Sequence, residues 1–389
     1  MLTNLLSRRL GRGDGTVAGG RVGLALAPDL LSALSEGREC ILVSGTNGKT
    51  TTCALLAAGW GDGVARNDTG ANMPAGQVAA LAANGAERAV LECDEAWLSA
   101  TMSATSPRVV CLLNLSRDQL DRASEVRSMA ARWRRALDEL GEAAPIIVAN
   151  ADDPLVVEAV GPAPRVRWCR TGAAWRADAQ SCPRCTARLV FDEGGWHCSS
   201  CDLRAPRATA WLEGDGVVVE GRRVSLHLGV PGAFNRSNAL VALVALEAVG
   251  VELAEAAPRM GQVTEVANRY GRRRLAGREV RLWLAKNPAG FSALLDEADV
   301  ATHDLWMAIN ARVADGRDPS WLYDVPFERL SGRTVWCLGD RRLDLATRLW
   351  YAGVDARVID GALPSGERPV NVVANYTAFR ELAEAAEAW

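Results

Sequence analysis

The reading of this chain turns on Ser44-Gly45-Thr46-Asn47-Gly48-Lys49-Thr50-Thr51-Thr52. The short apolar run Cys40-Ile41-Leu42-Val43 precedes it and predicts a buried strand. Cys53-Ala54-Leu55-Leu56-Ala57-Ala58 follows and predicts a helix. A strand, a Gly-rich turn, a Lys-Thr pair and a helix in this order make a phosphate cradle. Backbone N–H groups and the helix N-terminus face the anion, and Lys49 adds a point charge. A Thr50 or Thr51 hydroxyl can ligate Mg²⁺. Gly45 and Gly48 let the backbone approach phosphate without a Cβ in the way. The loop is shorter than the common form, with two residues between Gly45 and Gly48.

Lysine usage singles out the same place. Lys and Arg total 44, yet only Lys49 and Lys286 are lysines. A retained Lys in so Arg-rich a chain points to a need for a compact, strongly hydrated ammonium. With 389 residues, 49% hydrophobic and 23% charged, two or three soluble globular domains are expected. A net charge of −3 gives no reason to expect a nucleic-acid partner. The segment MLTNLLSRRLGRGDGT lacks an apolar stretch long enough for a signal peptide. Ten cysteines without a secretion signal suggest a reducing cytoplasm, with metal-bound or buried thiols rather than disulfides.

From Arg9 to Pro28 the chain is Gly- and Arg-rich and reads as a loop. Asn67-Asp68-Thr69-Gly70-Ala71-Asn72-Met73-Pro74-Ala75-Gly76 is either a surface loop or a site loop beside the phosphates. Ala89-Val90-Leu91 predicts a strand that runs into Glu92-Cys93-Asp94-Glu95. Acids at the C-terminal end of a parallel strand lie where ligands bind, so Glu92 is favoured as a Mg²⁺ ligand, against a solvated charge cluster. Val109–Leu113 leads into Asn114-Leu115-Ser116-Arg117-Asp118-Gln119-Leu120-Asp121-Arg122, followed by a long helix to about Leu140. Pro145–Val148 leads into Asn150-Ala151-Asp152-Asp153-Pro154. Polar residues delivered repeatedly at one strand end mark an α/β fold with a nucleotide site on a parallel sheet.

Cys182-Pro183-Arg184-Cys185 and Cys198-Ser199-Ser200-Cys201 are Cys-x-x-Cys knuckles with twelve residues between them. Together they supply four thiolates for a closed tetrahedral Zn²⁺ site; His197 is surplus. Leu189-Val190-Phe191 and Trp196 suggest a small β-ribbon. Residues from about 175 to 208 read as an insertion, because strands resume at Gly216–Val219 and Val224–Leu226. Phe234-Asn235-Arg236-Ser237-Asn238 caps a helix ending near Gly250. The domains are expected to be 1–270 and 271–389, the second a smaller Rossmann-like unit with strands at Val280–Leu284, Leu305–Ile309, Thr334–Leu338 and Val370–Ala374. Its motifs are Lys286-Asn287-Pro288, Asp315-Gly316-Arg317-Asp318, Arg341–Arg348 and Asn375-Tyr376-Thr377-Ala378. Taken alone, Asp344 reads as an i,i+4 partner of Arg348 on a solvated face.

The phosphate loop, Glu92–Glu95, Asn114 with Arg117–Asp121, Asn150–Pro154, Asn235 with Asn238, and Gly271-Arg272 resemble the central domain of the Mur ligases. The inserted knuckles, Lys286-Asn287-Pro288, Asp315–Asp318 and Asn375–Ala378 resemble the MurT group, the synthetase-like subunits of lipid II isoglutaminyl synthase. The resemblance covers nearly the whole chain. It implies ATP-dependent amidation of the α-carboxylate of D-glutamate in the peptidoglycan stem through an acyl phosphate. Ammonia would come from a glutaminase partner, GatD, in a heterodimer. The setting would be cytoplasmic, peripheral at the inner face of the membrane that carries the lipid-linked substrate. By the same resemblance, Gly45, Thr46, Asn47, Gly48, Lys49, Thr50 and Thr51 would hold the triphosphate, and Thr50 and Glu92 the Mg²⁺. Asn238 and Arg272 would face nucleotide or γ-phosphate. Cys182, Cys185, Cys198 and Cys201 would bind zinc.

In this group an aspartate of the C-terminal domain completes the partner's Cys–His pair in trans. Asp344 is the candidate, ahead of Asp355 and Asp360. The chain departs from the Mur ligases proper in several ways. No counterpart of their UDP-binding domain is expected. Their Asp–His pair is Asp118-Gln119 here, and no lysine between Lys49 and Lys286 is available for carbamylation. One Mg²⁺ is therefore expected, with a second left open. Two other readings stand beside this one: a self-sufficient amino-acid ligase, and a zinc-ribbon ATPase dependent on nucleic acid, against which the acidic charge and missing basic–aromatic stripes argue.

Overall fold

Ile41-Leu42-Val43, Ala89-Val90-Leu91 and Val109-Val110-Cys111 are apolar at every position rather than at alternate ones. This is the pattern of strands covered on both faces. A computed structural model describes residues 17–67, 70–117, 126–161, 163–172, 176–297 and 302–388, and these three runs lie side by side in it, fully buried. They belong to β1 (Glu39–Ser44), β3 (Arg88–Cys93) and β4 (Val109–Leu112). Beyond β3 lies β2 (Val64–Arg66); beyond β4 lie β5 (Ile146–Asn150) and β6 (Val166–Arg170), all pairing in parallel. The antiparallel meander β9 (Ala210–Glu213), β10 (Gly216–Val219) and β11 (Arg222–Ser225) completes a nine-stranded sheet of order β11-β10-β9-β6-β5-β4-β1-β3-β2. The predicted strand at Val224–Leu226 ends at Ser225.

Two apolar layers cover this sheet. On one face, α3 (Lys49–Trp60) and α8 (Ala233–Ala248) bury Leu55, Leu56, Trp60, Leu240 and Leu243. On the other, α4 (Pro74–Ala83), α5 (Leu98–Thr105), α6 (Val126–Leu140) and α7 (Pro154–Val160) bury Leu81, Leu98, Trp133 and Leu155. The expected loop from Arg9 to Pro28 is instead helical over α1 (Ala18–Leu26), followed by α2 (Leu30–Ser35); residues 9–16 lie outside the described set. The glycines of α1 serve contact rather than looseness. A Cβ on Gly20 would lie 1.8 Å from the carbonyl oxygen of Ala75, so only Gly allows these two helices to touch.

The ribbon forms as its Cys-x-x-Cys spacing predicts. β7 (Leu189–Asp192) and β8 (Gly195–Cys198) make an antiparallel hairpin between the neighbouring strands β6 and β9. Cys182, Leu189, Trp196, Cys198 and Leu203 form its own small core, packed against Val157 of α7.

The chain divides between Thr264 and Glu265, ahead of the expected 270/271. Tyr270 and Gly271 share one strand, β12 (Tyr270–Leu275), which pairs along its length with β13 (Arg278–Leu284). The second unit continues with α10 (Pro288–Glu297), β14 (Asp304–Ala308), β15 (Thr334–Leu338), α11 (Arg342–Tyr351), β16 (Asp355–Val358), β17 (Val370–Ala374), α12 (Tyr376–Ala385) and β18 (Glu387–Ala388); α9 (Leu253–Gly261) closes the first. The sheet order is β16-β15-β14-β17-β13-β12-β18, parallel from β16 to β13. This is the Rossmann-like arrangement expected from its alternating strands and helices.

Candidate active site

Parallel strands deliver their loops to one edge of the sheet. At that edge of the first unit the phosphate loop follows β1, the acids follow β3, Asn114–Ser116 follows β4, and Asn150–Asp153 follows β5. The loop conformation demands its glycines. Gly45 has φ 141° and Gly48 φ 89°, backbone that residues with a Cβ rarely adopt. A Cβ on Gly48 would also lie 2.5 Å from Asn238 Oδ1, so α8 brings Asn238 against the loop. Gly48 is the N-cap of α3, and among the described residues no side chain caps this helix. Its first-turn N–H groups therefore remain directed at the loop, the arrangement that binds anions.

A clasp fixes the loop from the β4 side. The Asn47 N–H donates to Asn114 Oδ1 (2.9 Å), and Asn114 Nδ2 donates to the Asn47 carbonyl (3.0 Å). The Thr46 N–H donates to the Asn114 carbonyl (3.0 Å). The Thr46 hydroxyl donates to the Ser116 carbonyl and accepts from the Ser116 N–H, both at 3.0 Å. Behind Leu115 sits Asp153, whose carboxylate accepts the Leu115 N–H at 2.8 Å. Burial pushes the Asp153 carboxyl up to about 6, against three backbone N–H groups that pull it down.

Lys49 is buried, its ammonium donating to the Gly45 carbonyl at 2.5 Å and pairing with Glu95 at 3.2 Å. Thr50 and Glu92 meet: the Thr50 hydroxyl donates to Glu92 Oε2 at 2.8 Å. Glu92 is 1% exposed, and its Oε1 has no hydrogen-bond partner among the described residues. A buried carboxylate oxygen with unused lone pairs beside a Thr hydroxyl is a hard-oxygen donor set, which suits Mg²⁺.

Two supports of Glu92 were not singled out by the sequence. Asn67 Nδ2 and Gln77 Nε2 both donate to the Glu92 carbonyl, at 2.9 and 3.1 Å, and the Glu92 N–H donates to Asn67 Oδ1 at 2.8 Å. Asn67 opens the stretch read as either surface or site loop; its bonds put it on the site side, while Asp68 and Thr69 lie outside the described residues. Gln77 sits within α4, where nothing local distinguishes it from a solvated polar residue. Glu95, one of the acids grouped with Glu92, turns to Lys49. The Asp118-Gln119 pair lies outside the described residues.

The four thiols of the ribbon converge, with all their sulfurs within 4.8 Å of one another. Cys182 and Cys201 Sγ are 3.7 Å apart, Cys185 and Cys198 Sγ 3.4 Å. A tetrahedron of metal–sulfur bonds of about 2.3 Å has edges of about 3.8 Å, so the spacing fits a bound metal ion. Burial opposes ionisation of Cys198, but N–H groups of Cys201 and Ser200 hold its thiol down to about 6. The Cys182, Cys185 and Cys201 thiols are shifted upward. Crowded sulfurs resist collective ionisation, and a dication relieves that conflict. His197 points away, exposed and 3.4 Å from Asp192.

Two remaining candidates lie in the second unit. Arg272 is on β12; its guanidinium pairs with Glu279 at 2.6 Å and its N–H donates to Glu265. Asp344, in the first turn of α11, is half exposed. It pairs with Arg341 at 3.6 Å rather than with Arg348. The Arg348 guanidinium turns inward, donating to the Val325 carbonyl and pairing with Glu328, each at 2.8 Å. In the same unit the Asp315 and Asn375–Thr377 motifs come together: Asp315 accepts the Thr377 N–H at 2.8 Å, and the Asn310 N–H donates to Asn375 Oδ1 at 3.0 Å.

Residues 43–246 match the Mur ligase middle domain and residues 284–379 the MurT ligase C-terminal domain. Among curated proteins, the lipid II isoglutaminyl synthase (glutamine-hydrolyzing) subunit MurT of Streptococcus pneumoniae is 29% identical over 386 residues, spanning 90% of this chain and 85% of that protein. The Staphylococcus aureus subunit of the same description is 28% identical, spanning 92% and 87%. Among solved structures, a pseudomurein peptide ligase type C from Methanothermus fervidus superposes with a TM-score of 0.65 at 17% identity, covering 89% of this chain and 78% of that one. MurF from Acinetobacter baumannii gives 0.63 at 14%, covering 96% and 81%. These two likenesses establish the shared fold. Taken with the phosphate loop, the Thr50–Glu92 pair and the four-Cys ribbon, the matches show that the chain belongs to the Mur ligase family and carries the C-terminal domain of its MurT members.

Proposed function

We propose that this chain is the ATP-dependent synthetase subunit of a glutamine-hydrolysing lipid II isoglutaminyl synthase. It would amidate the α-carboxylate of D-glutamate in the peptidoglycan stem. The observation that carries the reading is the buried Thr50–Glu92 pair, with its unsatisfied Oε1, behind a glycine loop in a chain similar to MurT subunits along nine-tenths of its length.

Bound ATP supplies the phosphoryl group that activates the carboxylate for attack by ammonia. The protein's part is placement. Gly45 to Thr51 offer N–H groups to the phosphates, and Lys49 is a point charge now held by Gly45 and Glu95. Thr50 and Glu92 would hold Mg²⁺, with Asn67 and Gln77 fixing the backbone of Glu92. Asn238 stands against the loop, and Arg272 is proposed to serve the nucleotide. The ribbon thiols would hold Zn²⁺ as a closed structural site, with no open position for catalysis.

A partner must make the ammonia. Among the described residues no thiol lies in a Cys–His pair; the free cysteines outside the ribbon are all buried. Asp344, half exposed on α11, would supply the carboxylate that fixes the tautomer of a partner's imidazole. Among the described residues no helix is long and apolar enough to cross a membrane, which suits a subunit that meets a lipid-linked substrate from one side.

The test is an assay of the chain with a co-purified glutaminase, lipid II and MgATP. Amidation is expected with glutamine, and with ammonia when the partner is left out. ATP turnover that requires an amino acid and ignores ammonia would favour a self-sufficient ligase instead.

A further inference from the structure

A series of hydrogen bonds joins the ribbon to the phosphate loop. The buried indole of Trp196, on β8, donates to the Ala151 carbonyl at 3.0 Å. Ala151 lies in the turn that ends at Asp153, and the Asp153 carboxylate serves two elements. Oδ1 accepts the N–H groups of Leu155 and Val156, at 2.9 and 3.1 Å, and caps α7. Oδ2 accepts the Leu115 N–H at 2.8 Å. Leu115 sits between Asn114 and Ser116, the two residues that clasp Asn47 and Thr46. Asp153 is partly buried, and both of its carboxylate oxygens are engaged by backbone N–H groups.

We propose that Trp196 and Asp153 are positioning residues for the phosphate loop, and that the four-Cys ribbon sets nucleotide affinity through them. The proposal rests on the reading of Gly45 to Thr51 as the nucleotide site. A cradle built on two glycines in left-handed backbone has much conformational freedom to lose on binding. Fastening its flank beforehand lowers that cost and tightens binding. The inserted ribbon, remote in sequence from the loop, supplies the outermost fastening.

Calorimetric titration of the full chain with ATP in the presence of Mg²⁺ reads the effect without turnover. Trp196→Phe keeps most of the bulk and deletes the donor. Asp153→Asn keeps one acceptor oxygen for the α7 cap and turns an N–H donor toward Leu115. Each is expected to raise the ATP Kd by about tenfold. The KM for ATP should rise in step, with kcat at saturating ATP nearly unchanged. Cys198→Ser, which opens the ribbon, should raise Kd as well, and combining it with Trp196→Phe should add little, because both break the same series. A lowered Tm with unchanged ATP Kd in both single variants overturns the proposal and leaves the ribbon a stabilising element only. Fully additive losses in the double variant also overturn it. If Cys198→Ser does not fold, the Trp196→Phe titration decides. Lys49→Ala separates the two levels: an unchanged Kd there means that the nucleotide site itself is misassigned, whereas loss there without loss in Trp196→Phe and Asp153→Asn rejects the positioning series alone.

Discussion

Glu92→Gln should make the ligand-free protein more stable and the enzyme nearly inactive. The substitution keeps the volume of the side chain. The amide oxygen it introduces can still accept the Thr50 hydroxyl, so the 2.8 Å bond survives. It removes a buried anionic oxygen that has no partner among the described residues. Leaving a buried polar group unsatisfied costs about 1–3 kcal/mol, more when it is charged. Because the amide nitrogen that takes the place of Oε1 is likewise left without a partner, only the part of that cost that comes from the charge is relieved; about 1 kcal/mol of such relief would raise the melting temperature of the ligand-free chain by roughly 2–4 °C. The same change removes the anionic ligand proposed for Mg²⁺. Even groups that only support a metal ligand are worth about 10–100-fold in affinity or activity, so Mg²⁺-dependent ATP turnover should fall by at least about a hundredfold. The assay is a melt with and without MgATP, paired with steady-state turnover across a Mg²⁺ series. Wild type should gain stability from MgATP and the variant should gain almost none. A variant that turns over normally, or that melts well below wild type without ligand, would refute the reasoning.

Lys49→Ala should abolish ATP turnover with the fold intact by circular dichroism; normal turnover would rule out the phosphate-loop assignment. Protein purified without added metal should contain about one zinc per chain by elemental analysis, and Cys198→Ser should lower both the zinc content and the melting temperature. Asp344→Asn in the two-subunit complex should leave ammonia-dependent amidation nearly intact and cut glutamine-dependent amidation by orders of magnitude. Equal loss with both nitrogen donors would move Asp344 to the synthetase site, and no loss would return it to a solvated helix face.

The sequence carried those features that repeat or that need a particular residue. Continuous apolar runs reported the buried parallel strands, and the glycines, Lys49 and Thr50 reported the loop, because few other residues can occupy those positions. The Cys-x-x-Cys pair reported the ribbon for the same reason. What stayed hidden depends on contacts between distant segments. Gln77 looks like any polar helix residue until α4 lays it under Glu92. The helix over Ala18–Leu26 looks like a loop because its glycines answer to a neighbouring helix and not to local propensity. Spacing alone pairs Asp344 with Arg348, whereas the pull of Val325 and Glu328 on Arg348 comes from elsewhere in the second unit.

The placement of the ribbon between β6 and β9 bears on how the first unit is assembled. These strands are neighbours, yet the chain from Arg170 to Ala210 must close before they pair, with Cys169 opposite Ala210 and Arg170 opposite Trp211. Loop closure is an entropic cost met before any pairing compensates it. A metal ion held by the four thiols would shorten the effective loop and bring β9 to the open edge of the sheet. The meander and α8, which carries Asn238, come later in the chain. Refolding followed by stopped flow should therefore slow when a chelator is present from the start, with the delay falling on the meander and α8 of the first unit.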